Sequence, residues 1–223
     1  MPVSLILLVA FVQGITEFLP ISSSGHLALI PMLTSHPYQG QILDVAAHIG
    51  TLVAVAVYLR SDLFKIMTSL VDINPADHLI VHRQLGLMIL FATLPIIFIG
   101  YLVNYAEWQW LTLITTLAWA NLIFAFLLWA ADHFGKSALD LTQMRWAAAF
   151  TIGLLQVFSL IPGASRSGVT ITAARCLGYD RVSAARFSLL LSIPVILGAG
   201  FLKVIELIAV SYTHLTLPTI CSV

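Results

Sequence analysis

The sequence predicts an all-α polytopic membrane protein: an inverted repeat with two opposed re-entrant helix-loop-helix hairpins plus about four full spans. The first observation is composition, since 60% of the 223 residues are hydrophobic and only 9% are charged, whereas a soluble domain carries about 25% charged residues. The second is that the apolar runs are continuous, whereas the strands of a membrane barrel would alternate. The third is a pair of serine-rich strings, 22–26 and 162–168, embedded in apolar sequence.

Four apolar segments come close to the roughly 20 residues that a membrane-spanning helix needs. They are 42–59, 85–103, 111–131 and 187–210. Lysine or arginine occurs in the connections 60–84, 132–146 and 171–186, and is absent from 35–41 and 104–110. Because an excess of these residues marks the cytoplasmic side, the single spans alternate correctly between basic and non-basic connections.

The remaining apolar segments form two pairs, and only a serine-rich string separates the members of each pair. The first pair is 3–19 and 26–34, and the second is 147–161 and 169–179. The first pair is followed by a connection without Lys or Arg, and the second pair is followed by a basic one. This difference predicts that the two pairs enter the membrane from opposite faces, and we expect their tips to meet near the midplane. Non-helical backbone at that depth is tolerated only beside an enclosed or watery cavity. Gly14–Glu17 and Gly153–Gln156 each lead into a proline and a Ser-x-Ser-Gly string, which favours an inverted repeat.

The first polar string carries a nucleophile and candidate bases. Glu17 lies on the last turn of an apolar helix and shares a face with Gln13, four residues earlier. A carboxylate at membrane depth is costly and therefore marks a functional site. The hairpin tip consists of Ser22, Ser23 and Ser24. Glu17 or His26 could activate one of these hydroxyls; the alternative is that the serines and His26 only cap helix ends.

The second polar string has the composition of an anion site. Gly163 and Gly168 permit close backbone approach, and such turns expose N–H donors to an anion. Arg166 offers a planar fork that matches phosphate oxygens. Further hydroxyl donors are Ser165, Ser167 and Thr170. The alternative is that Arg166 pairs with Glu17 only to neutralise both charges.

Together the two strings supply a nucleophile, a proton shuttle and an anion clamp, the groups that attack on a phosphate ester requires. Residues 1–210 are then a single transmembrane catalytic domain, with re-entrant motifs at 13–26 and 162–170. Residues 211–223 abandon the apolar pattern, and we interpret them as an atypical tail outside the fold. Asp44 and His48, four residues apart in a predicted span, are expected to pair with each other. The net charge of zero implies no nucleic-acid partner.

The two strings also resemble the signature motifs of the undecaprenyl-diphosphate phosphatase family, also called the bacitracin-resistance family. The stretch from Gln13 to His26 is close to the family's (Glu/Gln)xxxGlu and serine-glycine-histidine pattern, and Pro162 to Thr170 looks like its proline-glycine-x-serine-arginine-serine signature. The similarity covers roughly residues 3–210. Family members continue past position 210 with further membrane helices, so the resemblance implies that these helices are missing here.

The resemblance implies a phosphatase of the bacterial inner (plasma) membrane that removes the terminal phosphate from undecaprenyl diphosphate, a C55 polyprenyl diphosphate. The product, undecaprenyl phosphate, recycles as the lipid carrier of cell-wall synthesis, and the activity confers resistance to bacitracin. The resemblance also implies a multi-pass protein whose active site opens to the outer face, and a homodimer.

In the resulting hypothesis Ser23 attacks the terminal phosphorus, Glu17 or His26 takes its proton, and Arg166 holds the phosphate oxygens. The family pattern leaves open whether Ser23 or His26 is the nucleophile. The other expected substrate contacts are Ser22, Ser24, Gly163, Ser165, Ser167 and Thr170. A divalent cation, Mg²⁺ or Ca²⁺, is expected to bridge the diphosphate near Glu17, with Gln13 as a weaker candidate ligand.

Two other functions fit parts of the pattern. Opposed re-entrant tips also occur in transporters, so a transporter or flippase for an anionic lipid phosphate is the alternative. A second class of membrane lipid phosphatase uses a phosphohistidine, but its site needs a histidine after the Ser-Arg pair. No histidine follows Ser165-Arg166 before the tail, which disfavours that class.

Overall fold

The computed structural model describes residues 2–34, 40–72, 77–106 and 109–215. In those ranges the regular structure is helical, apart from one bridge that pairs Leu139 with Tyr179. The nine α-helices of the described chain are α1 (Val3–Thr16), α2 (Ser23–Leu33), α3 (Gln41–Tyr58), α4 (Arg60–Val71), α5 (Asp77–Ala106), α6 (Ile114–Phe134), α7 (Trp146–Leu155), α8 (Arg166–Cys176) and α9 (Arg181–Leu215).

Three described helices are long and apolar enough to cross a membrane. They are Leu79–Val103 within α5, the whole of α6, and Arg181–Leu202 within α9. The fourth predicted span corresponds to α3, which bends by 80° at Leu59 into α4. The bent pair counts as a fourth span only if it is taken as one unit. The prediction of a helical polytopic membrane protein is confirmed.

Helix α4 lies where the sequence predicted part of a polar connection. Its buried residues, Asp62, Ile66 and Ser69, line one face of the helix at spacings of four and three. That face packs against α5, and the buried carboxylate of Asp62 is neutralised by Arg186 of α9, whose Nε donates to Oδ2 at 3.0 Å. The charged side chain of Asp62 on the inward face interrupts the apolar pattern from which a buried helix would be predicted.

Two helix-turn-helix hairpins match the two predicted pairs of short apolar segments. In the first, α1 packs against α2; in the second, α7 continues through a 3₁₀ turn at Gln156–Leu160 and packs against α8. Their insertion into a bilayer from opposite faces stays a prediction. Of the predicted tail, residues 211–215 continue α9, and 216–223 lie outside the described residues.

The main apolar core lies among α3, α4, α5, α7, α8 and α9, with Ala92, Ile152 and Phe187 fully buried in it. Gly153 lets α7 cross α5 closely, because an added Cβ would lie 2.2 Å from the carbonyl oxygen of Ala92. A smaller cluster holds the first hairpin together through Leu5, Val9, Leu27 and Ile30. The second hairpin is thus anchored in the main core, and the first has a core of its own.

Arg175 locks the end of α8 to the end of α6. Its side chain is only 2% exposed. It donates hydrogen bonds to the carboxylate of Asp132, to the hydroxyl of Ser137 and to the carbonyl oxygen of Tyr179. Because the guanidinium N–H groups of Arg175 find acceptors on these residues, its buried charge is tolerated. The residue thereby fixes the position of α8 and, with it, the tip of the second hairpin.

Candidate active site

The first hairpin turns at Ser22, which caps α2. Ser22 has a φ of 63°, a conformation that few residues other than glycine adopt. Its hydroxyl oxygen accepts a hydrogen bond from the N–H of Gly25 at 3.3 Å and lies 3.1 Å from the hydroxyl of Ser24. The sharp turn brings the next residue, Ser23, back towards Glu17 at the end of α1.

The second hairpin uses the same turn. Ser165 has a φ of 59°, caps α8 and accepts a hydrogen bond from the N–H of Gly168 at 3.2 Å. Its hydroxyl lies 3.2 Å from that of Ser167. Within the described residues, Ser22 and Ser165 alone among non-glycine residues have positive φ. The two similar sequence strings therefore build equivalent turns, and the residue after the cap is Ser23 in one and Arg166 in the other.

The two tips meet at the carboxylate of Glu17. Ser23 donates its hydroxyl to Oε2 at 2.7 Å, and Gln13 donates Nε2 to the same oxygen at 2.9 Å. Arg166 donates Nη2 to the other oxygen, Oε1, also at 2.9 Å. The Glu17 and Arg166 side chains are 7% and 14% exposed. The structure thus brings a carboxylate, a hydroxyl and a guanidinium from the two predicted strings into one cluster.

His48 of α3 joins this cluster, whereas the sequence analysis favoured a pairing with Asp44 over a role in the site. Its Nε2 lies 3.5 Å from Oε2 of Glu17. Its Nδ1 lies 2.8 Å from the backbone carbonyl oxygen of Asp44, so Nδ1 carries a proton and donates it. The signal in the sequence was an acidic residue and a histidine one helical turn apart in an apolar span.

His26, in contrast, has no contact with Glu17 in the described structure. It lies in the first turn of α2, where its Nδ1 donates to the carbonyl oxygen of Ser22 at 2.8 Å. It is absent from the residues that line the cavity beside Glu17. The roles of His26 as base or nucleophile remain predictions, and in this arrangement Ser23 has Glu17 as its immediate base.

A cavity of about 400 Å³ opens beside the cluster. Its lining residues are of two kinds. Those with polar side chains are Glu17, Ser22, Ser23, Ser24, Asp44, His48, Ser159, Ser165 and Arg166. The others are Val45, Ile49, Ile96, Leu160, Ile161, Gly163, Val195, Ile196, Ala199 and Gly200. Such a cavity suits a ligand with an anionic end and a hydrocarbon body.

Residues 6–223 match the family model described as bacitracin resistance protein BacA. The chain belongs to this family. It is 48% identical over 202 residues to an undecaprenyl-diphosphatase of Alcanivorax borkumensis, an alignment that covers 91% of this chain and 76% of that relative. Undecaprenyl-diphosphatases of Maricaulis maris (45% identity; 92% and 77% coverage) and Ruegeria pomeroyi (42%; 88% and 74%) are similar to it over comparable lengths.

In this BacA-family protein, two of the predicted substrate contacts use their hydroxyls within the fold. Ser167 donates to the backbone carbonyl oxygen of Leu19 at 2.9 Å and so ties one hairpin tip to the other. Thr170 is 2% exposed. Its hydroxyl lies 3.0 Å from the carbonyl oxygen of Arg166 and 2.7 Å from the hydroxyl of Ser188. Neither residue lines the cavity, so their contact with substrate stays a prediction that this geometry does not favour.

The other predicted contacts of this family member, Ser22, Ser24, Gly163 and Ser165, do line the cavity. Gly163 is required there for two reasons. Its φ of 95° is unfavourable for residues with a side chain. In addition, a Cβ at this position would lie 2.2 Å from the carbonyl oxygen of Leu117, so only glycine lets the tip rest on α6.

The residues around Glu17 do not fit a metal ion held by this BacA-family chain alone. Both carboxylate oxygens are engaged, one of them by the cationic Arg166. Gln13 is fully buried, and its Oε1 has no partner among the described atoms. In the described residues no group of three or more His, Cys, Asp or Glu side chains could hold a cation, whereas Mg²⁺ and Ca²⁺ need six or more oxygen ligands. A cation bridging the diphosphate stays a prediction.

Proposed function

We propose that this chain is an undecaprenyl-diphosphatase, a membrane hydrolase that converts undecaprenyl diphosphate into undecaprenyl phosphate and inorganic phosphate. The observation that carries the proposal is the double use of Glu17. One of its oxygens accepts the hydroxyl of Ser23 and the other accepts the guanidinium of Arg166. These groups are a base, a nucleophile and an anion clamp, and the nucleophile and the clamp each lie within hydrogen-bond distance of the base. The names of the similar proteins agree with this function.

The Ser23 hydroxyl is the nucleophile of the proposed reaction. Its oxygen forms a bond to the terminal phosphorus as the bridging P–O bond breaks, and undecaprenyl phosphate leaves. The hydroxyl proton passes to Glu17, whose Oε2 already accepts it at 2.7 Å. Glu17 then gives this proton to the departing undecaprenyl phosphate and is a carboxylate again. Water attacks the phosphoserine while Glu17 takes one of its protons, the P–O bond to Ser23 breaks, and Glu17 returns the proton to the Ser23 oxygen, which releases inorganic phosphate and restores the hydroxyl.

Arg166 and the two hairpin tips stabilise the phosphate. A guanidinium has five N–H donors, so Arg166 can hold Glu17 through one of them and phosphate oxygens through others. Helices α2 and α8 both begin at the cavity, because Ser23 and Arg166 are their first residues. The positive ends of two helices therefore point at the same anion, which is favourable for the charge that develops during phosphoryl transfer.

The proposal includes a location and a role. We propose that the enzyme lies in the bacterial inner membrane with its cavity open to the outer face, as a homodimer, and that it recycles the lipid carrier of cell-wall synthesis and so confers bacitracin resistance. The asymmetry of Lys and Arg supports the orientation, because the connection after the first hairpin has neither residue. Cross-linking in membranes tests the homodimer.

Phosphate release from undecaprenyl diphosphate by the purified protein tests the activity. We expect turnover by the wild type, loss of at least about a hundredfold in kcat for Arg166→Ala, and a similar loss for Ser23→Ala. Arg60→Ala, which changes an exposed arginine on α4, is the matched control and should keep full turnover. Absence of phosphate release by the wild type would refute the proposal.

Trapping the intermediate separates the two candidate nucleophiles. Acid quenching during turnover of labelled substrate should leave acid-stable label on Ser23. Label that is lost in acid and retained in base would indicate a phosphohistidine and move the chemistry to His26.

The alternative of a transporter or flippase predicts movement of an anionic lipid phosphate without bond cleavage. A transporter needs groups that bind the anion but has no need of a hydroxyl hydrogen-bonded to a base, and that contact is what favours hydrolysis here. Reconstitution in vesicles, with lipid movement and phosphate release measured together, distinguishes the two functions.

A further inference from the structure

Helix α9 presents a purely aliphatic face to the cavity. The lining residues Val195, Ile196, Ala199 and Gly200 follow the spacing i, i+1, i+4, i+5, which places them on one side of the helix. None of these four lining residues carries a polar side chain. It lies in the same cavity as Glu17 and Arg166, which bind the anionic end of a substrate in the proposed function.

Helix α3 packs against α9 and lines the cavity with the same spacing. Its lining residues are Asp44, Val45, His48 and Ile49. The polar members belong to the cluster around Glu17, since His48 contacts that carboxylate. Val45 and Ile49 are apolar, so along the α3–α9 boundary the cavity changes from a polar to an aliphatic lining.

Two residues of this aliphatic face, Ala199 and Gly200, have small side chains or none. A Cβ added at Gly200 would meet no described atom within 4 Å, although Gly200 lines the cavity. Its neighbour Ala199 contributes only a methyl group. At Gly163, across the cavity, an added Cβ would lie 2.2 Å from backbone. Among the described residues the space beside Gly200 is therefore open, while the space beside the hairpin tip is filled by protein.

We propose that isoprene units beyond the first one after the diphosphate pack against Ala199 and Gly200, that the chain leaves the cavity between α3 and α9, and that Gly200 is a specificity-determining residue. The inference rests on the proposed function. A cavity of about 400 Å³ is too small for an undecaprenyl chain, so most of the chain has to leave it. The α3–α9 boundary offers an exit lined by aliphatic groups and open at Gly200.

A second path is conceivable through Ile161, which lines the cavity and also an adjoining groove along α6. That groove carries the hydroxyl of Thr115 beside Trp119, and its other threonine, Thr116, donates its hydroxyl to the carbonyl oxygen of Trp110 at 2.7 Å. An isoprenoid chain gains more from a wall without polar atoms, because hydroxyls that face hydrocarbon lose their hydrogen bonds to water. The α3–α9 path is therefore the favoured one.

Substitution at Gly200 tests the path without a clash in the fold. Gly200→Leu fills the open space, and Gly200→Ala fills part of it. Gly50→Leu is the matched control, because Gly50 also has no neighbour within 4 Å of an added Cβ but is an exposed residue of α3 outside the cavity lining. Phosphate release is measured for dimethylallyl diphosphate and undecaprenyl diphosphate in the same detergent.

We expect Gly200→Leu to lower kcat/KM for undecaprenyl diphosphate by about tenfold and to change that for dimethylallyl diphosphate by less than about twofold, as a chain-binding site requires. Gly200→Ala should show a smaller effect in the same direction, and Gly50→Leu should leave the ratio of the two substrates unchanged. An equal loss for both substrates, or no loss for either, overturns the inference. A selective loss in Trp119→Ala, with Gly200→Leu unaffected, also overturns it and moves the chain to α6. A wild type inactive on both substrates contradicts the proposed function, and the inference falls with it.

Discussion

Arg166 donates a hydrogen bond to Glu17 across 149 residues of sequence, with a distance of 2.9 Å between Nη2 and Oε1. The two side chains are nearly buried, at 14% and 7% exposure. A charge removed from water without a partner is strongly destabilising. Each charge is therefore tolerated only because the other neutralises it. The ion pair joins the two hairpin tips and fixes the groups that carry the proposed phosphoryl transfer.

Replacing both members of this pair separates its structural role from its chemical one. Glu17→Gln alone should lower the free energy of unfolding by about 3–5 kcal/mol, because it leaves the Arg166 charge unpaired. The double variant Glu17→Gln/Arg166→Gln should regain much of that loss and remain inactive. Thermal unfolding and phosphate release, measured on the same samples, check this double-mutant cycle. A double variant less stable than both single variants would contradict it.

His48→Gln should weaken substrate binding more than it slows turnover. Because Nδ1 is committed to the carbonyl oxygen of Asp44, Nε2 can donate towards Glu17 or a phosphate only when the ring is an imidazolium. Losing the ring that lies 3.5 Å from Oε2 of Glu17 should raise KM about tenfold with a smaller change in kcat. His133→Gln, at an exposed position of α6, is the control. A lower kcat at unchanged KM would instead assign His48 to the chemical step.

Gly163→Ala should destabilise the protein by at least about 2 kcal/mol, the order of cost for a side chain forced into a strained backbone conformation. Its φ of 95° and the 2.2 Å approach to the Leu117 carbonyl oxygen act in the same direction. Gly50→Ala, which meets no described atom, should be neutral or slightly stabilising. Thermal unfolding in detergent measures both variants, and equal melting temperatures would show that the tip does not rest on α6.

Asp180 should make stability depend on pH in the acid range. The backbone N–H and the hydroxyl of Ser183 donate to its carboxylate at 2.8 and 3.0 Å, and these hydrogen bonds lower the pKa of Asp180. Because the folded pKa lies below the unfolded value of about 3.9, the stabilising contribution is present above about pH 4 and is lost as pH falls through the folded value.

Asp180→Asn removes this titration while it keeps an acceptor for the start of α9. Unfolding curves of wild type and variant between about pH 6 and pH 3 should converge at the acid end. A constant difference over that range would exclude Asp180 as the source of the effect.

A divalent cation should be needed for turnover but should bind only with substrate. The cavity is lined by the carboxylates of Glu17 and Asp44 and one guanidinium, so an anionic diphosphate gains from an added positive charge. A chelator should abolish phosphate release, and Mg²⁺ should restore it. Calorimetry with Mg²⁺ and the substrate-free protein should show no binding, since no described cluster of side chains suits a metal. Binding to the free protein would refute this account.

The sequence predicted the helical membrane fold and both hairpins because apolar length and interrupted apolar runs are local properties. It also indicated Glu17, Ser23 and Arg166, because burying charged or polar side chains in a membrane costs free energy, and such residues are easily recognised within an apolar sequence. The pattern could not reveal α4. Its inward face carries Asp62, whose burial depends on Arg186 from the far end of the chain, and no local pattern reports such a partner.

Two further differences have the same origin. His48 comes next to Glu17 only because α3 packs against α1, a contact between separate segments. Thr170 looked like a phosphate ligand from its place in the second string, but its hydroxyl turns towards Ser188 of α9. The identity of chemical groups can be inferred from sequence, whereas their direction is decided by packing.

Ser22 and Ser165 give the two hairpins one backbone design, and the side chain that follows each cap gives them different chemistry. The same turn can carry either side chain, because its strained conformation depends on the capping serine and on the N–H of the glycine three residues later, not on the residue that follows the cap. In the proposed mechanism, one position in each hairpin therefore decides whether that tip attacks the phosphate or holds it, while the backbone of the turn stays the same.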